Sequence, residues 1–146
     1  MSIDIYYLSN REEKKSAITK CGDVYPFPLI HEDKFGFIFD KIDKNAIFLA
    51  AYDNDNIVGY AAMYANDFEN KIAYLSLIAV KTDHQGKNIG SRLLSECEKK
   101  AQNNGMNELR LEVYNSNINA INFYKNRGYI EESHCSSDSM YLSKKI

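Results

Sequence analysis

The strongest constraint on the fold is a switch of hydrophobic period in the middle of the chain. The apolar run 75–80 is typical of a buried strand, whereas the apolar residues of 89–101 repeat at helical spacing. A loop with two glycines, 85–91, links them and runs into the start of the second stretch. The first turn of a helix offers backbone N–H groups without internal partners, and the helix dipole adds positive charge there. The sequence therefore predicts a strand-loop-helix unit that holds an anion such as a phosphate or pyrophosphate.

The elements around this unit predict the fold class. Strands are predicted at 46–52, 57–64 and 72–80 with short polar turns, so these three form an antiparallel meander. The strand-helix-strand unit 75–113 then places parallel strands in the same sheet. The other predicted elements are strands 3–8, 129–134 and 139–142 and helices 10–20, 30–41 and 117–126. Asn10 is a candidate N-cap of the first helix. We expect one α/β (α+β) domain over residues 1–146, with a mixed, mostly antiparallel sheet of about six or seven strands and about four helices.

Composition limits the classes of partner. The net charge is −2 and no long basic cluster occurs, which argues against a nucleic-acid partner. No apolar stretch reaches the about 18–20 residues that span a bilayer, and the first residues lack the pattern of a signal peptide, so no membrane partner is expected. The three cysteines are odd in number and form no CxxC pair. We therefore expect reduced thiols, no metal and a cytoplasmic protein.

The spacing of the loop excludes two common phosphate-binding motifs. Lys87 follows the first glycine and Ser91 follows the second, so the pattern is not G-x-x-x-x-G-K-[ST]. It is not G-x-G-x-x-G either, and neither a P-loop nor a Rossmann dinucleotide site is predicted. Taken alone, the loop leaves open a tight strand-to-helix turn that binds no ligand.

Two motifs together resemble those of the GNAT superfamily of acyltransferases. The acyl-CoA loop of that family, [RQ]-x-x-G-x-[GA], is similar to residues 85–90, except that Asn88 stands where the family usually has glycine. Asn tolerates left-handed backbone angles best among the non-glycine residues, so we still expect the loop to form. The second motif, N-x-x-A-x-x-[FL]-Y-x-x-x-G-[FY], is similar to residues 117–129, with Asn117 and Tyr124 in its fixed positions.

The resemblance implies an N-acyltransferase with acetyl-CoA, or another short acyl-CoA, as co-substrate. The residues implied to hold it are Ile78, Ala79, Val80, Gln85, Gly86, Lys87, Asn88, Ile89, Gly90, Ser91, Asn117 and Tyr124. The resemblance also implies a splayed strand end, where main-chain groups of Ile78 and Val80 pair with the pantetheine arm. The backbone amide of Ile78 would then face the thioester oxygen. Tyr124 would protonate the leaving thiolate, because a phenol stays protonated at pH 7. The alternative role of Tyr124 is packing on the helix face. Asn117 can also be a helix N-cap, and it can combine that role with ligand binding.

No pattern in the sequence identifies a general base. Asp67 and Glu69 are weak candidates, in the turn before the third strand of the meander, and a surface or packing role explains each of them better. A water relay is the alternative that the resemblance implies. His84 is next to the loop and is interpreted as a solvated loop residue.

The acceptor implied by the resemblance is a small-molecule primary amine that attacks the thioester directly in a ternary complex. Residues 60–67 and 73–80 look similar to members that act on amino groups of nucleotide-linked sugars; protein N-termini, small amines and antibiotics are alternatives. The segments expected to select the acceptor are 25–39, 64–69 and 133–139. A non-catalytic acyl-CoA binding or sensing domain is a further alternative. The tail 140–142 is interpreted as an edge through which a homodimer could form.

Overall fold

A computed structural model of the chain describes residues 2–22, 32–134 and 137–146. Within these residues a seven-stranded sheet has the order β1-β2-β3-β4-β5-β7-β6. Its strands are β1 (Ile3–Tyr7), β2 (Ile47–Asp53), β3 (Asn56–Tyr64), β4 (Ile72–Val80), β5 (Glu108–Tyr114), β6 (Ile130–His134) and β7 (Ser139–Lys145). The helices are α1 (Arg11–Lys20), α2 (Glu32–Asn45), α3 (Ile89–Asn103) and α4 (Ile118–Lys125), with a 3₁₀ turn at Thr82–His84. Only β4 and β5 pair in parallel, so the predicted mixed, mostly antiparallel sheet is confirmed.

Helices cover the two faces of the sheet unequally. Helices α3 and α4 pack on one face, where Leu93, Leu94 and Tyr124 join a core that reaches from β1 to β7. Helices α1 and α2 pack on the other face, and the buried strand residues of that second core come from β2, β3 and β4. The same face of β5 and β7 carries polar side chains such as Glu112 and Tyr141 instead, which lie opposite each other in the register.

Strands β4 and β5 separate after a short stretch of pairing. They pair only from Ile72 to Tyr74 on β4 and from Glu108 to Arg110 on β5. Strand β4 nevertheless stays paired with β3 as far as Val80. Beyond Tyr74, the edge of β4 that faces β5 pairs with no strand of the described residues. The sheet is therefore open between these strands, and the opening leads to the loop that follows Val80.

A β-bulge in β4 lies directly after the last residue that pairs with β5. The residues of β3 opposite Leu75 and Leu77 are consecutive, so Ser76 is the extra residue of the bulge. One extra residue inverts the two-residue alternation of the strand. Leu75 and Val80 consequently both face α3 and α4, although an unbroken strand would place them on opposite faces.

Two expectations about the elements are wrong. The tail 140–142 is not an edge, because β7 lies between β5 and β6 and pairs with both. The alternation of a single strand carries no information about its neighbours, so the sequence could not reveal this order. The second helix ends at Asn45 rather than at residue 41. Parts of the expected acceptor segments, residues 25–31 and 135–136, lie outside the described residues.

No helix within the described residues is long and apolar enough to span a membrane. Nor do three or more His, Cys, Asp or Glu side chains of this part of the chain come together as a possible metal site.

Candidate active site

The loop between β4 and α3 turns through two left-handed residues. Gly86 has a φ of 81° and Asn88 a φ of 63°. A Cβ built on Gly86 would meet no atom within 4 Å, so the backbone angle and not crowding favours glycine there. The expectation that Asn88 adopts left-handed angles is confirmed. N-cap side chains act from an extended backbone, and Asn88, which lacks that backbone, makes no capping hydrogen bond to α3.

The other two helices whose N-termini are described, α1 and α4, have side-chain caps. Asn10 caps α1 by accepting from the Glu13 amide at 3.0 Å, and Asn117 caps α4 by accepting from the Ala120 amide at 3.2 Å. Helix α3 has neither a side-chain cap nor an acidic residue in its first turn. The N–H groups at its positive end are therefore available to an anion that is not part of the chain.

Side chains on both sides of the loop tie it to the sheet. Gln85 Nε2 donates to the Val80 carbonyl oxygen at 3.0 Å. The ring of His84 contacts Asp83 through Nδ1 at 2.7 Å and Asp53 through Nε2 at 3.1 Å. The hydrogen bond with Asp83, followed by that with Asp53, raises the pKa of His84 above its ordinary value. His84 thus links the loop to the end of β2, and its interpretation as a solvated residue is wrong.

The two sequence motifs meet at the first turn of α3. A Cβ on Gly90 would lie 3.5 Å from Cζ of Phe123, so α4 packs directly on this turn. The guanidinium of Arg127 donates to the Ser91 hydroxyl through Nε at 2.7 Å and again through Nη2. It also lies over the Phe123 ring, with Cζ 3.8 Å from the ring centre. Arg127 was not singled out in the sequence, because only the fold brings it to residue 91.

Tyr124 lies on the buried side of α4. Its ring makes edge contacts with Phe123, at 5.2 Å between ring centres, and with Tyr129, at 5.6 Å. It shares one core with Val80 of β4 and Val113 of β5, which come from the two sides of the opening. The alternative role of Tyr124, packing on the helix face, is thus observed, and the ring belongs to the core to which both strands contribute.

The other predicted ligand residues divide by what they can offer. Ala79, Val80 and Ile89 bury their side chains, so only their main-chain groups are available to a ligand. Lys87 and Asn88 are exposed, and Lys87 adds a positive charge to the loop.

The candidate bases lie in the turn between β3 and β4. Asp67 accepts from the Asn70 amide at 3.1 Å, and the Lys71 amide donates to the Asp67 carbonyl at 2.8 Å. The backbone hydrogen bond from Asn70, followed by that of the Asn70 side chain, lowers the pKa of Asp67. A carboxylate held ionised in this way is a weak base. Glu69 is exposed in the same turn.

Comparison with known proteins assigns the chain to a family. The profile of the acetyltransferase (GNAT) family matches residues 9–129, which include both motifs. The chain belongs to the GNAT family. The resemblance of the loop and of the Asn117 to Tyr129 segment is thereby confirmed at the level of the family.

Two curated relatives of this GNAT protein are acetyltransferases of spermidine and of thialysine. It is 32% identical over 98 residues to a spermidine N(1)-acetyltransferase of Thermoplasma acidophilum, covering 67% of this chain and 59% of the relative. It is 32% identical over 74 residues to a thialysine N-epsilon-acetyltransferase of Bos taurus, covering 49% of this chain and 44% of the relative. The chain thus spans roughly half the length of these two relatives.

Solved structures share the GNAT fold over the whole chain. The PaiA N-acetyltransferase of Thermoplasma acidophilum, in complex with coenzyme A, has a TM-score of 0.79 at 22% identity and covers 100% of both chains. The ribosomal-protein-S18-alanine N-acetyltransferase of Escherichia coli has a TM-score of 0.82 at 21% identity and covers 99% of this chain and 94% of its own. At these identities the likeness establishes the fold.

Proposed function

We propose that this protein transfers an acetyl group from acetyl-CoA to a primary amine, by direct attack of the amine in a ternary complex. The observation that carries the proposal is the opening of the sheet beyond Tyr74, which ends at a loop and a helix without a cap of its own. The open edge of β4 suits an extended pantetheine arm, and the first turn of α3 suits a pyrophosphate. A structural turn would need neither feature.

The proposed roles follow from that placement. Ligand groups would come from the main chain of Ile78, Ala79 and Val80 and from residues 85–91, with Asn117 at the start of α4. The Ile78 amide would stabilise the negative charge on the thioester oxygen, an interaction worth about 3 kcal/mol in the transition state. Tyr124 would supply the proton for the leaving thiolate.

A Tyr124→Phe variant tests the catalytic assignment. It keeps the ring contacts with Phe123 and Tyr129 and removes only the hydroxyl, so we expect kcat to fall about a hundredfold. Tyr129→Phe is the matched control, because the Tyr129 hydroxyl donates to Glu98 at 2.8 Å and lies outside the proposed reaction. Steady-state thiol release across pH measures both variants. Undiminished turnover of Tyr124→Phe at every pH would remove Tyr124 from the mechanism.

Two acceptor classes are supported by different observations. The amino group of a nucleotide-linked sugar is the proposal from sequence resemblance at residues 60–67 and 73–80. A cationic amine is the second candidate, favoured by the polar face of β5 and β7. There Glu112 accepts from the Ser139 hydroxyl at 2.7 Å and lies opposite Tyr141 in the register. Arg110 already lies over the Tyr141 ring, with Cζ 5.9 Å from the ring centre, so the attraction for an ammonium comes from the Glu112 carboxylate. The same carboxylate disfavours the diphosphate of a sugar nucleotide.

Thiol release over a panel of amines discriminates these candidates. The panel contains polyamines, lysine analogues, amino-sugar nucleotides, aminoglycosides and peptides with free N-termini. If polyamines or lysine analogues are acetylated, Glu112→Gln should raise KM for that amine. If only amino-sugar nucleotides are acetylated, the first proposal holds. Acetyl-CoA binding without turnover on any amine would favour the alternative of a non-catalytic binding or sensing domain.

A water relay is proposed as the base in preference to Asp67 and Glu69, because Asp67 is held ionised by Asn70. We retain one catalytic domain over residues 1–146 and a cytoplasmic location. Light scattering tests the proposed homodimer, for which β1 and β6 are the edge strands.

A further inference from the structure

The four arginines of the chain fall into two groups. Arg11 pairs with Asp40 at 2.5 Å, and Arg110 pairs with Glu108 at 2.9 Å. Arg92 and Arg127 form no ion pair with a carboxylate of the described residues. Arg92 lies near the start of α3, and Arg127 contacts Ser91 in the first turn of that helix. The arginines that lack an anionic partner are thus those beside the loop.

The two arginines near α3 differ in what holds them. Arg92 donates through Nη1 to the Ile3 carbonyl oxygen at 2.8 Å, which ties α3 to β1. Arg127 bridges α4 and α3, because Nη1 donates to the Phe123 carbonyl at 2.9 Å while Nε and Nη2 donate to the Ser91 hydroxyl. The Phe123 ring supports the guanidinium plane from one side. Arg127 is therefore held in a fixed orientation by neutral groups alone.

The donors of Arg127 that remain are arranged for an anion. A guanidinium has five N–H donors in a planar fork, and the contacts with Ser91 and Phe123 use one each on Nε, Nη1 and Nη2. One N–H is left on each terminal nitrogen, and this pair can bind two oxygens of one phosphate. A cation beside the positive end of a helix is unfavourable unless an anion lies near both.

We propose that Arg127 binds a phosphate group of coenzyme A and that Ser91 positions it. This rests on the proposed function, since it names a specificity residue for the same co-substrate. Ser91 then acts through Arg127 and does not have to touch the ligand itself. The phosphate belongs either to the pyrophosphate or to the 3′-phosphate of the nucleotide, and both have the chemistry that the guanidinium fork recognises.

Calorimetric titration of the full chain with coenzyme A and with 3′-dephospho-coenzyme A tests the proposal. Arg127→Gln should weaken coenzyme A binding about ten- to a hundredfold, as expected for loss of a charged bidentate contact. Arg127→Lys keeps the charge without the fork and should recover only part of the affinity. Ser91→Ala should cause a smaller, few-fold loss. Lys125→Gln is the control, because it removes the same charge from an exposed side chain of α4 that lies 3.9 Å from Glu131.

The titrations separate the possible outcomes. Weakening of coenzyme A alone assigns the contact to the 3′-phosphate, and equal weakening of both ligands assigns it to the pyrophosphate; either result supports the proposal. Affinities of Arg127→Gln that match those of Lys125→Gln, with the fold confirmed by circular dichroism, would overturn it. Failure of the unmodified protein to bind either ligand would instead overturn the proposed function, so the two failures are distinguishable.

Discussion

Helices α1 and α3 both begin directly after an asparagine, Asn10 and Asn88. Asn10 has an extended backbone, its side chain caps the helix, and Glu12 and Glu13 place negative charge in the first turn. Asn88 has left-handed angles, makes no capping hydrogen bond, and is followed by a first turn without an acid. At the position three residues after the asparagine, α1 has Glu13 and α3 has Ser91.

This difference separates a helix N-terminus that is capped by its own side chains from one that has no side-chain cap. In α1 the Asn10 side chain accepts from the Glu13 amide, and Glu12 and Glu13 place negative charge at the positive end of the dipole. Helix α3 has neither a side-chain cap nor an acid in its first turn, and Lys87 in the preceding loop and Arg127, which is hydrogen-bonded to Ser91, add positive charge there. An asparagine at the cap position therefore caps one helix and leaves the other uncapped, and its backbone conformation decides between the two.

Making α3 resemble α1 should have the largest effect. Ser91→Glu places a carboxylate beside Arg127 and in the first turn of α3, where it occupies the proposed anion site. We expect acetyl-CoA affinity to fall about a hundredfold while the melting temperature stays equal or rises. Calorimetry and thermal unfolding measure the two quantities, with Ser91→Gln as the uncharged control. Tight binding by Ser91→Glu would show that the anion lies elsewhere.

Removing the cap of α1 should change stability alone. Asn10→Ala deletes the acceptor of the Glu13 amide, so the free energy of unfolding should drop by about 1 kcal/mol. Acetyl-CoA affinity should not change, because this helix end belongs to the fold and not to the site. Urea denaturation and calorimetry on the same preparation provide the check. A parallel loss of affinity would contradict the separation of the two helix ends.

Relieving the backbone strain at Asn88, the left-handed residue before α3, should have a smaller effect. Asn88→Gly removes backbone strain but adds freedom to the unfolded chain, so stability should change by less than about 0.5 kcal/mol. Acetyl-CoA affinity should be equal or higher, whereas Asn88→Ala should lose stability because alanine tolerates a positive φ poorly. A large loss of affinity in Asn88→Gly would mean that the Asn88 side chain itself binds the ligand.

The smallest expected effect concerns the tie between the loop and β2. The pKa of His84 is raised by its hydrogen bonds with Asp83 and Asp53, so protonated His84 stabilises the folded state. That stability is fully present below about pH 6.5 and is lost as the pH rises through the raised pKa. The melting-temperature advantage of the unmodified protein over His84→Gln should therefore shrink as the pH rises above about 6.5. An advantage that does not change with pH would show that the charge of His84 contributes nothing.

Local signals predicted the elements around the site, and tertiary contacts limited what could be predicted of the site itself. Strand β4, the start of α3 and the caps Asn10 and Asn117 follow from period, glycine and capping residues within a few positions. The contact of Arg127 with Ser91 spans 36 residues, and that of His84 with Asp53 spans 31. Nothing in either segment alone indicates the other.

The geometry of the sheet shows the same limit. The bulge at Ser76 and the interior place of β7 depend on which strands become neighbours, a choice that hydrophobic alternation leaves open. The resemblance to a family implied a splayed strand end, and the pairing of β4 with β5 only as far as Tyr74 agrees with it.

The open edge of β4 also bears on how freely this part of the sequence can vary. A ligand that is bound through main-chain groups makes few contacts with side chains. The side chains of β4 beyond Tyr74 would then be constrained only by their packing in the two cores on either face. Exchanges among apolar residues there would alter packing without altering recognition. Proline is the exception, because it lacks the N–H that such an edge offers. Selection on the side chains of this strand would then act through folding, while any sequence that keeps the backbone conformation would keep the binding groups.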